Sequence, residues 1–485
     1  MDLVKKKQIT NNTKVMKVGE NLIFKYFKEI IKYIGIILFI ILLLMPTMSG
    51  LEPAGQRALA VFVLVLTLWV THVLPLSVTS LLGIALLPLL NVMSLEYTFS
   101  LFGSKAIFFI LGALILASGL YQTGLGSRLA FKIISFSGSS PLKLLYGILF
   151  TAAFLSLIMP EHAVAALLFP IVLEIAVSLD LKRLESNYGK LLFLTMAWGT
   201  VIGGITTYLG GARNLLAVGL LEKHYGISIG FFEWIKYSWP LPFLLLIVFA
   251  VIISKFAEID IQDTSRSLNK LKAKSEARGD LSKAEKKLIL ILGAVVGSWL
   301  FLSNIINIAV TALLGGVLVV AFKVVGWQEV EAYVNWGVIL MYGGAVVVAS
   351  SLVETGVTDW MADRFFSQLE LAPFLFIVLL AIFTSILTEG VSNVASVAVI
   401  LPVAFSAAEA YSLNPVLLTL SVALSGGLAF LLPMGTPPNA IAFSSGYYQI
   451  KDALKWGLLL KVIGWLIYIL VARFYWPLIG LEVFL

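Results

Sequence analysis

Long apolar runs, each closed by a short polar or Gly/Pro-rich stretch, follow one another from about residue 31 to residue 476. Eleven of them have the length and apolarity to cross the ~30 Å hydrocarbon core of a bilayer as helices. They are 31–49, 56–75, 78–93, 105–122, 190–222, 233–254, 285–303, 305–323, 335–352, 415–446 and 453–476. Two further apolar stretches, 142–178 and 373–408, are too short to be two full spans each. Each turns small and polar in its middle, at Leu157 to Ala163 and at Thr388 to Ser396. That pattern predicts a re-entrant helical hairpin whose tip stops inside the membrane, where protein or a watery cavity must satisfy its backbone. The pattern as a whole predicts an all-α polytopic membrane protein of about 11 transmembrane helices plus two re-entrant hairpins.

The two halves of the chain repeat each other. Gly112 to Gly124 lies over Gly344 to Gly356 at an offset of 232, with seven of thirteen positions identical. The same offset brings Pro160-Glu161-His162-Ala163 onto Ser392-Asn393-Val394-Ala395 and Pro170 onto Pro402. A shorter offset of 225 sets Gly210-Gly211-Ala212-Arg213-Asn214 over Gly435-Thr436-Pro437-Pro438-Asn439. Membrane halves related in this way pack about a pseudo-two-fold axis, with a transport site between them.

Charge placement orients the chain. Lys5-Lys6-Lys7 and the basic lead up to Lys32 precede the first span without a cleavage pattern, so this segment reads as a cytoplasmic tail with an interfacial helix. With the N-terminus cytoplasmic and each hairpin returning to its own side, Arg128, Lys132, Lys143, Lys182, Arg183, Lys190 and the linker Lys255 to Lys287 fall inside. Lys451 and Lys455 fall inside as well, while Glu354, Asp359, Asp363, Glu370 and Glu409 fall outside. This is the positive-inside bias. It puts the C-terminus outside and gives the repeats opposite orientations. The net charge of +7 is thereby explained by membrane anchoring and not by nucleic acid. The chain has no cysteine and three scattered histidines, which excludes thiolate sites and multi-histidine metal centres.

The second half holds the richer site. Thr388 to Ser396 is a polar island between apolar helices, and Leu432 to Asn439 interrupts another span with two consecutive prolines, which free backbone carbonyls one turn earlier. A helix broken at mid-membrane offers carbonyls to a hard cation and a positive dipole end to an anion. Ser392, Asn393, Gly435, Thr436 and Asn439 form the candidate sodium site, a set of neutral oxygens. Asn393, Thr436 and Pro437 are also candidates for holding the substrate. The plainer reading is that these residues cap and pack ordinary helices.

The Ser392-Asn393 tip, the Pro402 that follows and the run Gly435-Thr436-Pro437-Pro438-Asn439-Ala440-Ile441 resemble the divalent anion/sodium symporter family (dicarboxylate, citrate and sulfate transporters) over about residues 31–480. The resemblance implies a homodimer in which a transport domain moves against a scaffold domain in elevator fashion. It also implies tips that bind sodium ions and a carboxylate or oxyanion. On that basis 1–30 is a cytoplasmic basic segment and 31–100 scaffold spans. Residues 101–254 are the first inverted repeat with hairpin 142–178 and broken helix 190–222, and 255–284 a cytoplasmic linker. Residues 285–333 are scaffold spans, and 334–476 the second inverted repeat with hairpin 373–408 and broken helix 415–446.

The chain departs from the family at its first tip. Ser-Asn-Thr is replaced there by Pro160-Glu161-His162, the first broken helix carries Arg213, and Val394 replaces the threonine of the second tip. Ionisable groups inside a membrane are costly and point to function. Arg213 would supply the positive charge that a sodium ion provides in relatives and would bind the anion through paired hydrogen bonds. Glu161 would be its counter-charge in the empty site, and His162 could add proton coupling. A static Glu161–Arg213 pair that only ties tip to broken helix is the other reading. Glu389 resembles the acidic residue before the tip motif in relatives and has no basic neighbour in sequence. Trp198, Asn335, Trp336, His72 and His224 read as interface or loop residues, and Thr206-Thr207 and Tyr208 as packing beside the first break.

The leading function is secondary transport of a small divalent anion, coupled to a sodium or proton gradient or to anion exchange, in the cell (inner or plasma) membrane. The alternative is a cation/proton antiporter or arsenite-type permease with Glu161, His162 and Glu389 as proton carriers. An enzyme would need a metal motif or a nucleophile with its base, and neither is in the sequence. No cofactor is expected beyond a sodium ion, and no phosphate-binding loop indicates nucleotide energy.

Overall fold

Gly and Pro cut the apolar runs into helices whose ends recur at fixed spacing. The computed structural model describes residues 22–302, 305–366 and 372–483. Most of the basic N-terminal segment, with Lys5-Lys6-Lys7, lies outside the described residues, as does Glu370. After α1 (Leu22–Leu44) come α2 (Pro53–Thr71), α3 (Leu76–Leu89), α4 (Leu95–Ser100), α5 (Lys105–Gln122) and α6 (Leu125–Ser135). The first helix–turn–helix is α7 (Pro141–Leu155) and α8 (Glu161–Ser178). The first broken helix is α9 (Asn187–Gly203) and α10 (Ala212–Tyr225), followed by α11 (Phe231–Ser238), α12 (Pro240–Phe256) and α13 (Ser265–Ala277). The second half runs α14 (Lys283–Phe301), α15 (Ile308–Ala321), α16 (Trp327–Tyr333), α17 (Trp336–Glu354) and α18 (Val357–Met361). It continues with α19 (Pro373–Gly390), α20 (Asn393–Tyr411), α21 (Pro415–Ser425), α22 (Pro437–Phe443) and α23 (Ile450–Leu470).

Adding 232 to the ends of α3, α4 and α5 lands on α15, α16 and α17 to within one residue, and adding 232 to the starts of α6, α7 and α8 lands on those of α18, α19 and α20. The correspondence therefore begins at α2 and α14 and takes in the helices that sequence set apart as scaffold. The offset drops to 228 at the start of the broken helices, where 179–186 joins α8 to α9 but only 412–414 joins α20 to α21 (415 − 187 = 228). It drops to 225 at α10 and α22, because α10 starts three residues further along its broken helix than α22 does (437 − 212 = 225). Packing repeats as well. α5 crosses α15, and its counterpart α17 crosses α3. A Cβ on Gly112 would stand 2.5 Å from the Ala312 carbonyl carbon, and one on Gly344 would stand 2.3 Å from Ser80 Cβ. These are corresponding contacts (112 + 232 = 344; 80 + 232 = 312), and the missing side chain lets the backbones approach.

Among the described residues, six helices are long and apolar enough to cross a membrane: α2, α5, α8, α17, α19 and the run from Ile450 to Leu478. The α11–α12 pair, bent by 44°, makes a seventh. Other apolar runs give shorter helices, among them α3, α7, α15 and α21. Arm α8 of the first hairpin and both arms of the second, α19 and α20, are 18 or 19 residues long. Apolar side chains on α1, α14, α15 and α23 face outward, as lipid-facing helices require.

The linker is more than a connector. Leu268 and Leu271 of α13 are buried, and the helix packs on α6 and α8. Asp260 accepts the first two N–H groups of α9, from Asn187 at 2.9 Å and Tyr188 at 2.8 Å. Lys274 pairs with Glu174 of α8 at 2.5 Å. Trp198, expected at an interface or in a loop, is buried in the core and packs on Phe249 and Phe430. Asn335 caps α17 by accepting from Val338 N–H at 3.3 Å.

Candidate substrate and cation site

The two tips and the two breaks meet. Each short helix after a break packs against the hairpin of the other half, α10 on α20 and α22 on α8. At the first tip Pro160 precedes α8 as its N-cap, and Glu161 opens the helix, where a carboxylate is favoured by the dipole. Glu161 N–H donates to Gly210 O at 2.9 Å, pinning tip to break. Thr207 Oγ1 adds a second tie by donating to Leu157 O at 2.8 Å. A Cβ on Gly204 would lie 2.5 Å from Glu161 Oε2, so only glycine leaves room for the carboxylate.

Arg213, the second residue of α10, is 1% exposed. Its Nη1 donates to both oxygens of Glu161, at 3.2 and 3.1 Å. The same Nη1 lies 3.2 Å from Asn393 Oδ1 when the Asn393 amide is oriented to satisfy its surroundings. In that orientation Asn393 Nδ2 donates to Gly435 O at 3.0 Å and to Thr388 Oγ1 at 2.5 Å. Thr388 Oγ1 in turn donates to Gly426 O at 3.1 Å. Glu161 and Asn393 occupy corresponding positions in the two tips, and one guanidinium nitrogen holds both. Arg213 Nε and Nη2 are buried without a hydrogen-bond partner among the described residues. They are close to Gly427, where a Cβ would stand 2.6 Å from Nη2.

The breaks are clamped by a second corresponding pair. Asn214 Nδ2 donates to Gly204 O at 3.0 Å and Thr207 O at 2.8 Å. Asn439 Nδ2 donates to Ala429 O at 3.0 Å and Leu432 O at 3.4 Å. The acceptors match at the 225 offset (204 + 225 = 429; 207 + 225 = 432). Asn214 Oδ1, Asn439 Oδ1 and Thr436 Oγ1 remain buried and unpartnered. Thr436 precedes α22 without capping it, and Pro437 and Pro438 start that helix. Ser392 is used locally, its Oγ accepting from Ala395 N–H at 3.3 Å.

Sequence reading missed Lys461. It lies in the apolar helix α23, is 1% exposed, and donates to Glu389 Oε1 at 2.6 Å and Ser385 O at 2.5 Å. Glu389 also accepts N–H bonds from Phe430 at 2.9 Å and from Leu431 and Leu432 at 3.0 Å each. The lysine in the middle of an apolar span was itself the signal. His162 makes no hydrogen bond or ion pair among the described residues, although it stands next to Glu161. Tyr208 is buried with its hydroxyl donating to Ile229 O at 2.5 Å. His224 stacks on Phe405. No group of three or more His, Cys, Asp or Glu suited to a metal ion occurs among the described residues.

Neutral oxygens thus stand around the second break, and a guanidinium stands at the matching place of the first. Residues 27–481 match the family described as the sodium:sulfate symporter transmembrane region. The chain belongs to that family. Among the chain's relatives is a sodium-dependent dicarboxylate transporter, SdcS, of Staphylococcus saprophyticus, 27% identical over 478 residues and covering 93% of this chain and 92% of the relative. A Staphylococcus aureus SdcS is 29% identical over 477 residues, covering 93% and 92%. Two solved structures share the fold. Neisseria gonorrhoeae MtrF has a TM-score of 0.58 at 13% identity, covering 93% of this chain and 96% of that one. The Alcanivorax borkumensis YdaH transporter has a TM-score of 0.57 at 12% identity, covering 80% and 89%. The protein is an integral membrane protein.

Proposed function

We propose that the protein is a secondary transporter of small divalent anions, a dicarboxylate or sulfate, in which Arg213 takes the place of one coupling cation. The observation that carries this reading is Arg213 itself. It is buried, holds Glu161 and Asn393 with one nitrogen, and keeps two further N–H-bearing nitrogens unpartnered. A buried donor left unpaired costs roughly 1–3 kcal/mol, more for a charged group, and an oxyanion would recover it. The family membership and the sodium-dependent dicarboxylate transporters among the relatives support the substrate class. Thr436 Oγ1, Asn439 Oδ1 and the carbonyls of Thr388 and Leu432 near Gly435 fit a sodium ion as co-transported substrate in the second half. The first half presents a guanidinium at the matching place and does not fit one.

In this reading the anion binds between the tips with its charge on Arg213, and Glu161 gives up part of its hold as the anion arrives. The tips and broken helices form a transport domain that moves past a scaffold containing α2–α4 and α14–α16. The two halves are inverted in the membrane, the N-terminus is cytoplasmic and the C-terminus outside, and the protein is a homodimer. The test is uptake of labelled succinate, citrate and sulfate into proteoliposomes with sodium and proton gradients imposed separately. Sodium-driven uptake of one of these anions is expected. Uptake indifferent to sodium but driven by internal anion would remove the second-half cation and leave the coupling to Arg213. No uptake under any gradient would overturn the reading.

A further inference from the structure

A cleft of about 260 Å³ lies between α5, α6 and α14 and beneath the first tip. Its lining is wholly apolar or glycine, from Leu129 of α6 and Ile289, Gly293 and Val296 of α14 to Ile158 of the tip and Leu209 of the break. Trp299 also faces it, but the indole N–H is directed away, to Thr311 Oγ1 at 2.7 Å. The lining has nothing to offer a carboxylate or sulfate. A Cβ on Gly293 would meet nothing within 4 Å, so α14 is pared back along this face without any protein atom filling the gap.

Charge marks one end of the cleft. On α14, Lys286 lies one turn before Ile289 and two before Gly293, on the same face. On α6, Lys132 lies one turn beyond Leu129. Both lysines are exposed, and the nearby Glu285 is already taken by Arg128 at 2.7 Å. Both belong to the basic segments that the charge bias puts on the cytoplasmic side, where the leaflet is anionic.

We propose that this cleft is a binding site for an anionic phospholipid, with an acyl chain between α14 and the first tip and the headgroup on Lys132 and Lys286. Glu161 is three residues beyond Ile158, so the chain would also shield the Glu161–Arg213 pair from the cytoplasmic side. The test uses the full-length protein in liposomes containing a phosphatidylglycerol with a photoreactive group on its acyl chain. After illumination, labelled peptides are identified by mass spectrometry. Label is expected to concentrate on α14 between Ile289 and Trp299 and on the tip around Ile158. Gly293→Leu, which grows into empty space, should reduce that label to the background of the lipid-facing helix α23. Equal labelling of α14 and α23 in the parent, or undiminished α14 label in Gly293→Leu, would overturn the site. The phosphatidylcholine analogue should label less than phosphatidylglycerol, and Lys132→Gln with Lys286→Gln should remove the difference. Equal labelling by both lipids in the parent would overturn the headgroup contact. The readout involves no transport, so it stands or fails separately from the anion reading.

Discussion

Each half of the molecule buries one acid–base pair at the junction of hairpin and broken helix, and the two pairs are built differently. In the second half Lys461, Glu389 and three backbone N–H groups satisfy one another, with both carboxylate oxygens engaged. In the first half Glu161 and Arg213 meet through a single guanidinium nitrogen, and two nitrogens of the same group stay unpartnered. A saturated pair has nothing further to bind, so it serves as a brace for the 430–432 turn. An unsaturated one keeps capacity for a ligand. Burial and proximity alone do not separate these cases; the partner count at each atom does.

The sharpest way to break this comparison is to neutralise both members of the first pair. Glu161→Gln with Arg213→Gln should leave a folded protein, because removing both charges together avoids a stranded one. Anion uptake in proteoliposomes should nevertheless fall by about a hundredfold or more, the loss of roughly 3 kcal/mol of charge-assisted hydrogen bonding. Uptake of the double variant at parental affinity would reduce the first pair to a brace as well.

Lys461 supplies the counterpart. Lys461→Met alone strands the Glu389 carboxylate and should cost about 3–5 kcal/mol of stability, read as a fall in melting temperature. Adding Glu389→Gln should recover most of that loss and keep uptake within a fewfold of the parent. If the double variant is stable and inactive, the second pair does more than hold the turn.

How much of this was legible in the sequence depends on what each feature needs. The two tips, the breaks and the Glu161–Arg213 pair showed because repeated motifs changed chemistry at matching positions, Pro160-Glu161-His162 against Ser392-Asn393-Val394. The Lys461 brace did not show, since its partner lies 72 residues away and no repeat position marks it. The α13 clamp was hidden by a composition that reads as a solvated linker, where only Leu268 and Leu271 betray a buried face. Trp198 was misplaced because the interfacial preference of tryptophan is statistical, while its aromatic neighbours Phe249 and Phe430 come from distant segments. His162 was read with its neighbour Glu161, but successive helical residues point apart, and the imidazole does not join the pair.

Gly427 tests the geometry without touching a charge. Gly427→Ala places a Cβ 2.6 Å from Arg213 Nη2, so the guanidinium must move. Overpacking of this kind costs about 1–3 kcal/mol. The expected result is a KM for the anion raised about tenfold with sodium dependence unchanged, since the second-half oxygens are not displaced. A matching rise in the sodium requirement would mean that the two half-sites form one unit.

The smallest expected effect falls on Thr436, whose counterpart in the first half is Gly211 (211 + 225 = 436). Its hydroxyl is 98% buried by residue exposure, caps nothing and has no partner. Were it structural, Thr436→Val would remove no bond and slightly stabilise the protein, because an unpaired buried hydroxyl is a net cost. Were it a cation ligand, the same variant would melt at the parental temperature without sodium but gain less on sodium addition, by mass action on a weakened site. The expected shift in sodium affinity is about tenfold, worth roughly 1.4 kcal/mol. The first half carries glycine at this position and a guanidinium two residues on, so the reverse replacement, Gly211→Thr, should confer no sodium-dependent stabilisation there. Thermal shifts with and without sodium for the two variants therefore assign the cation to one half or deny it to both.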